Sequence, residues 1–243
     1  MHRFFIDAAL VNNNTAPLSP AEARHALNVL RLKDGAPVQA LDGRGSAWSG
    51  WIRTNDGNVY IELGEPLVSN EAPVRVTLYM GLPKGDKLEL ISQKLTEIGV
   101  SQLVPVRMER CVAKIEPSEA EKKLSRARRI SQEAQKQSGR QCALEISDPV
   151  DMSRLPELVS SHARCFLLWE EARGRRLYDE RTDDPDVRDI ACIVGPEGGI
   201  SEKEARMLES AGARAITLGP RILRAETAAI AGCAAILTLW GDL

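Results

Sequence analysis

The stretch Ile193-Val194-Gly195-Pro196-Glu197-Gly198-Gly199-Ile200-Ser201 decides the fold class. It ends the apolar run Ile190 to Val194, which reads as a buried strand. Ser201 and Glu204 then form a capping box that opens a helix to about Ala211. Between them lies a loop with three glycines. A buried strand that turns directly into a capped helix is the crossover unit of an open α/β sheet. Ligands of such sheets sit outside the carboxyl ends of the strands, and glycines there let backbone approach a ligand closely. A tight turn with no ligand fits the same residues. The pattern is not GxGxxG, so no dinucleotide fingerprint is present.

Outward from this loop the same rhythm repeats. Strands are expected at Val74 to Met80, Gln102 to Val106, Leu144 to Ile146, Phe166 to Trp169 and Ala215 to Leu218. Helices are expected at Lys84 to Ile98, with Leu88, Ile91, Leu95 and Ile98 on one stripe and Gly99 as its stop, and at Ser118 to Ser138, opened by a Ser118–Glu121 capping box. A second strand-to-helix junction, Leu218-Gly219-Pro220-Arg221-Ile222-Leu223-Arg224-Ala225-Glu226-Thr227-Ala228, leads into the last helix, Arg224 to Trp240. Glu226 falls in its first turn, where the helix dipole favours a carboxylate. The helix beyond is apolar on nearly every side, so it is buried or lies in a subunit interface.

Residues 1 to 70 read differently. Short strands at Arg3 to Ile6, Ala36 to Leu41, Ala47 to Arg53 and Val59 to Leu63 are separated by the turn clusters 42–45 and 55–58. One helix starts at Ser19-Pro20-Ala21-Glu22, with Ser19 as cap, Pro20 at the first position and Glu22 closing a capping box, and runs to about Leu30. This is a small β-barrel of residues 1–70, followed by an α/β domain of residues 71–243, with the link in the proline-containing stretch 65–73.

The net charge is −2, which speaks against a general nucleic-acid coat protein and leaves room for local basic patches. One such patch is a stripe. At about 100° per residue, Lys122, Arg126, Arg129, Lys136 and Arg140 fall within roughly an 80° arc of one helix. Five cations on one face can track phosphates, and a solvated helix face fits them equally. Arg3, Arg24, Arg31 and Lys33 add positive charge to the barrel, and Lys84 joins the candidate RNA contacts. Five scattered cysteines without CxxC, and three isolated histidines, argue against a disulfide framework or a metal site. No apolar run reaches the roughly 18 residues of a membrane span, and MHRFFID has no signal-peptide pattern. The expected location is the cytoplasm.

GPEGG followed by SEKE, then LGPRILRAETAA, resembles the signature of the RsmE family, the 16S ribosomal RNA uridine-N3 methyltransferases of the SPOUT superfamily. MHRFF, RHALNVLRLKDG (24–35), KGDKLELISQKLTEIGV (84–100) and RRISQEAQKQSGR (128–140) are similar to it as well. The resemblance implies a PUA-like RNA-binding barrel, a SPOUT-type α/β domain with a C-terminal trefoil knot, and a homodimer. It implies S-adenosylmethionine held by three loops: Leu168 and Trp169; Gly195, Pro196, Glu197, Gly198 and Gly199; and Leu218, Gly219, Ile222 and Leu223. The implied partner is 16S rRNA or the small ribosomal subunit, and the family's target is uridine 1498. For that chemistry Arg224 is the candidate to stabilise the imide anion. Glu226 is the candidate proton acceptor, although an ordinary carboxylate is a poor base for this proton. No metal is needed. A SPOUT enzyme with another RNA target and a non-catalytic RNA-binding assembly factor are the alternatives.

Overall fold

The computed structural model describes residues 1–55, 57–111, 117–172, 174–181, 184 and 187–243. The Ser118–Glu121 capping box and residue 56 of the 55–58 turn lie outside the described residues. The chain divides into two compact units, Met1–Glu71 with Gln135–Ala143, and Ala72–Ala134 with Leu144–Leu243. The expected boundary near residue 70 is present, but 135–143, placed by sequence in the second domain, belongs to the first unit.

The first unit contains β1 (His2–Phe5), β2 (Thr15–Pro17), α1 (Pro20–Arg24), β3 (Pro37–Leu41), β4 (Ala47–Asn55) and β5 (Asn58–Pro66). Among the described residues these strands form one sheet in the order β1-β3-β4-β5-β2. Phe4, Ala16, Val38, Ala40, Ile52 and Ile61, drawn from all five strands, share one core, as the inward-facing residues of a small barrel do. Strand β2 is short and centred on a single buried alanine, which explains why alternation did not mark it. The Ser19 hydroxyl accepts the Glu22 amide, as expected. Glu22 does not return the bond and pairs with Lys136 instead, and after Arg24 the helix widens into a π-type turn through Val29.

The segment 135–143 joins this unit through its own ion pairs. The last turn of α3 (Pro117–Ser138) leaves carbonyls of Lys136 and Gln137 free, and Arg3 Nη1 donates to both at 2.9 and 3.0 Å. A cation at a helix C-terminus also meets the negative end of the dipole. Arg140 is 5% exposed, and its guanidinium meets Glu71 Oε2 at 2.7 Å. The other oxygen of Glu71 accepts the amides of Gln141 and Cys142.

The second unit alternates strand and helix: β6 (Arg75–Gly81), α2 (Lys87–Ile98), β7 (Gln102–Arg107), most of α3, β8 (Glu145–Ile146), β9 (Val150–Asp151), α4 (Leu155–Ser160), β10 (Arg164–Leu168), β11 (Asp189–Val194), α5 (Glu202–Ser210), β12 (Arg214–Ile216) and α6 (Ala225–Trp240). Its sheet runs β12-β10-β11-β6-β7-β8, with β9 also on β7, and every pairing is parallel. Side chains alternate between two cores. Ile190, Cys192 and Val194 of β11 face α2, α3 and α6, while Ala191 and Ile193 face α4 and α5. Both faces are covered, which is why the strands read as continuous apolar runs. Fully buried residues such as Phe166 and Leu167 each contribute about 1.5–3 kcal/mol. No helix among the described residues is long and apolar enough to cross a membrane.

Candidate active site

Register places the site. Leu168 of β10 lies opposite Val194 of β11 and Ile216 of β12. Three neighbouring parallel strands therefore end at the same level, and their following loops emerge side by side. Between these loops is a cavity of about 500 Å³, within the size range of small-ligand sites. Leu168 and Trp169 form one wall, Gly195, Pro196, Glu197 and Gly199 a second, and Leu218, Gly219, Ile222, Leu223 and Arg224 a third. The indole N–H of Trp169 has no acceptor among the described residues.

Two glycines of the central loop do different work. Gly199 sits at φ +73° in the left-handed region, and a Cβ there would run into the Glu170 carboxylate. Gly198 faces away from the cavity. A Cβ on it would lie 2.9 Å from both the Cβ and the carbonyl oxygen of Arg110, so its smallness serves packing against the turn after β7. That turn is itself anchored: buried Glu204 accepts the amides of Glu109 at 2.8 Å and of Ser201 at 3.1 Å. The reciprocal capping box at α5 is present as expected.

The electrostatics centre on a residue that the sequence patterns did not single out. Lys87 Nζ lies 3.0 Å from Glu197 Oε1 and 3.1 Å from Glu226 Oε2, and Lys87 also lines the cavity. The ion pair with Glu197, then that with Glu226, raises the pKa of Lys87. Burial pushes Glu197 up, but its own amide, Lys87 and the Lys84 amide together hold its carboxyl below the ordinary range. Glu226 is lowered first by its own backbone N–H in the opening turn of α6, then by Lys87 and Arg224 against a smaller burial effect. Arg224 occupies the N-cap of α6; its side chain has no hydrogen-bond partner among the described residues and lines the cavity.

An RNA methyltransferase domain model matches residues 70–237, and an RNA methyltransferase PUA domain model matches residues 18–63. The chain is 30% identical to ribosomal RNA small subunit methyltransferase E of Bacillus subtilis (strain 168), over 97% of this chain and 96% of that one. It is 32% identical to the crystal structure of a ribosomal RNA small subunit methyltransferase E from Neisseria gonorrhoeae bound to S-adenosyl methionine. That alignment has a TM-score of 0.85 and covers 100% of this chain and 99% of that chain.

The chain belongs to the RsmE family of RNA methyltransferases.

Within this RsmE-family chain, the residues expected to hold a cofactor line one cavity, with the exception of Gly198. Glu226, the candidate proton acceptor, stands off the cavity wall and is paired with Lys87, and its lowered pKa makes it a weaker base than an ordinary carboxylate. The basic stripe divides as well. Lys122, Arg126 and Arg129 are exposed on α3. Lys136 is engaged with Glu22 and sits 5.2 Å from the Phe5 ring centroid. Arg140 lies beyond the helix end at Gly139 and is buried against Glu71, so helical spacing did not apply to it. Arg3 is occupied at the end of α3. Arg24, Arg31 and Lys84 are exposed. No cluster of three or more potential metal-ligating side chains occurs among the described residues. Besides Lys87, the sequence patterns did not mark Glu170 and Thr217 on the cavity wall, whereas Pro220 and Arg221, within the quoted 218–228 junction, lie on it as well. The only signal for Glu170 and Thr217 was proximity to the three loops.

Proposed function

We propose that this RsmE-family chain methylates N3 of a uridine in 16S ribosomal RNA of the small subunit, uridine 1498 by the family resemblance, with S-adenosylmethionine bound in the cavity between the loops after β10, β11 and β12. The observation that carries this reading is the placement of Arg224: a guanidinium at the N-terminus of α6, on the wall of a nucleoside-sized cavity, with no hydrogen bond committed elsewhere among the described residues. The cavity fits the cofactor. It is walled largely by residues of the three loops, three of them glycines, Gly195, Gly199 and Gly219. The unpartnered Trp169 N–H adds a free donor.

When bound, S-adenosylmethionine supplies a methyl group made electrophilic by its sulfonium. The three loops hold that methyl in line with uracil N3. N3 gives its proton to solvent at the mouth of the cavity, its electron pair bonds to the methyl carbon, and the carbon–sulfur bond breaks with its electrons returning to sulfur. Arg224 and the N-terminal dipole of α6 offset the imide charge on O2 and O4. Glu226 takes no proton in this scheme. Exposed Arg24, Arg31, Lys84, Lys122, Arg126 and Arg129 contact RNA phosphates.

The reading includes the trefoil knot, a homodimer and a cytoplasmic location. Ile222 is 90% exposed, Ala231 of α6 is exposed, and Ile230, Ala234 and Ala235 are only partly buried within the chain. A second copy covers them. The test is mass mapping of modified nucleosides in small-subunit rRNA from cells with and without the gene. N3-methyluridine should disappear at one position without the gene. Its persistence would overturn the assignment.

A further inference from the structure

Three elements meet at one ammonium. Lys87 is the first residue of α2, Glu197 belongs to the loop after β11, and Glu226 lies in the first turn of α6. The amide of Lys84 also donates to Glu197 Oε1 at 3.1 Å, so the segment entering α2 holds that loop at two points. We infer that Lys87 is a positioning residue for methyl transfer: it ties the Gly195–Gly199 wall of the cavity to the helix start that carries Arg224. This rests on the reading of the cavity as the cofactor site.

The location of Lys87 supports the inference. A cation at the first position of a helix opposes the positive end of the dipole, so α2 gains nothing from a lysine there. What Lys87 gains is two carboxylates, both held as anions. Among the described residues, the other charges around the cluster are Asp86 at the cap of α2, Lys84 before it, Arg224 beside Glu226, Glu170 and Arg221 on the cavity wall, and Arg110, which donates to the Gly198 carbonyl. None of them bridges Glu197 and Glu226. Without the ammonium, the two carboxylates share one space as like charges. The site then either opens by repulsion or closes by taking up a proton.

That alternative has a signature in pH. Cofactor affinity and single-turnover methyl transfer should be flat between about pH 6 and pH 8 in the wild type, because both carboxylates are already ionised there. In full-length K87M the affinity measured by calorimetry should fall about tenfold near pH 8 and recover towards pH 6, as one carboxylate is protonated. K87R should restore the flat profile. The double variant K87M/E226Q removes one of the repelling charges with the cation, and should recover most affinity and lose the pH dependence. A K87M variant with a lower melting temperature but a flat pH profile would show a merely structural lysine and overturn the inference. If K87M does not fold, the double variant decides: a pH-dependent affinity there overturns it as well. A wild type that binds no S-adenosylmethionine overturns the cavity reading and this inference with it. Binding in the wild type with K87M unaltered overturns this inference alone.

Discussion

At the scale of single residues, the cavity separates groups that look alike in sequence. Gly198 and Gly199 are adjacent, but Gly199 borders the cavity and Gly198 packs on Arg110. Gly199→Val should therefore weaken S-adenosylmethionine binding tenfold or more, about 1.4 kcal/mol. The left-handed φ makes that side chain strained, and its approach to Glu170 closes the wall. Calorimetry on the folded variant checks this, and unchanged affinity would remove the loop from the site. Arg224 and Glu226 divide in the same way. Arg224→Ala should slow single-turnover methyl transfer by roughly 10²-fold, the size of losing one donor to a developing anion, with free-cofactor affinity little changed. A rate within twofold of wild type would move anion stabilisation elsewhere.

Elements carry the next level of consequence. The exposed face of α3 offers Lys122, Arg126 and Arg129, whereas Lys136 and Arg140 are bound internally. Removing the three exposed charges should lower the slope of log RNA affinity against log salt by about 0.7–0.9 for each phosphate no longer neutralised, and leave cofactor affinity alone. Titrations at several salt concentrations measure the slope, and a wild-type slope would reduce the stripe to a solvated face. Arg140 is the wrong residue for that experiment, since removing one partner of a buried pair costs about 3–5 kcal/mol. At the entry to the sheet, Tyr79 of β6 bonds His162 Nε2 at 2.9 Å, and His162 Nδ1 meets Asp189 of β11 at 2.9 Å. Burial pushes the Tyr79 phenol up to about 12, so it stays a neutral donor throughout the physiological range. Tyr79→Phe leaves a nitrogen of the largely buried His162 imidazole without its partner. It should lower stability by about 1–2 kcal/mol in a denaturant titration, with no change in catalysis. A loss of activity in folded protein would give this chain of groups a role beyond packing.

For the whole molecule, the question is what covers α6. Ala229, Cys233, Ile236 and Leu237 are buried in the core, while Ala231 is exposed and Ile230, Ala234 and Ala235 are only partly buried in the single chain. A helix that is apolar all round is not stable with one side in water. Sedimentation at micromolar concentration should show a dimer, and Ala231→Glu should shift it towards monomer and reduce activity. A fully active wild-type monomer would reject this.

Most elements, and the family, were legible in the amino-acid order alone. Alternation, apolar runs and caps marked the strands and helices, because local propensity and burial pattern agree there. The long motifs around GPEGG and ILRAETAA marked the family. Two of the three cavity loops were legible too, because each joins a buried strand to a helix. The short elements β2, β9 and α4 escaped, having too few residues to show a period. Which side chains are free to act was settled by the fold. Whether a charged side chain is available depends on what the fold places against it, and that partner is far away along the chain: Glu71 for Arg140, Glu22 for Lys136. The same holds for Lys87, which is one more cation of an amphipathic helix in the sequence. It becomes the bridge between two cavity walls because parallel strands ending in register bring residues 87, 197 and 226 to one point.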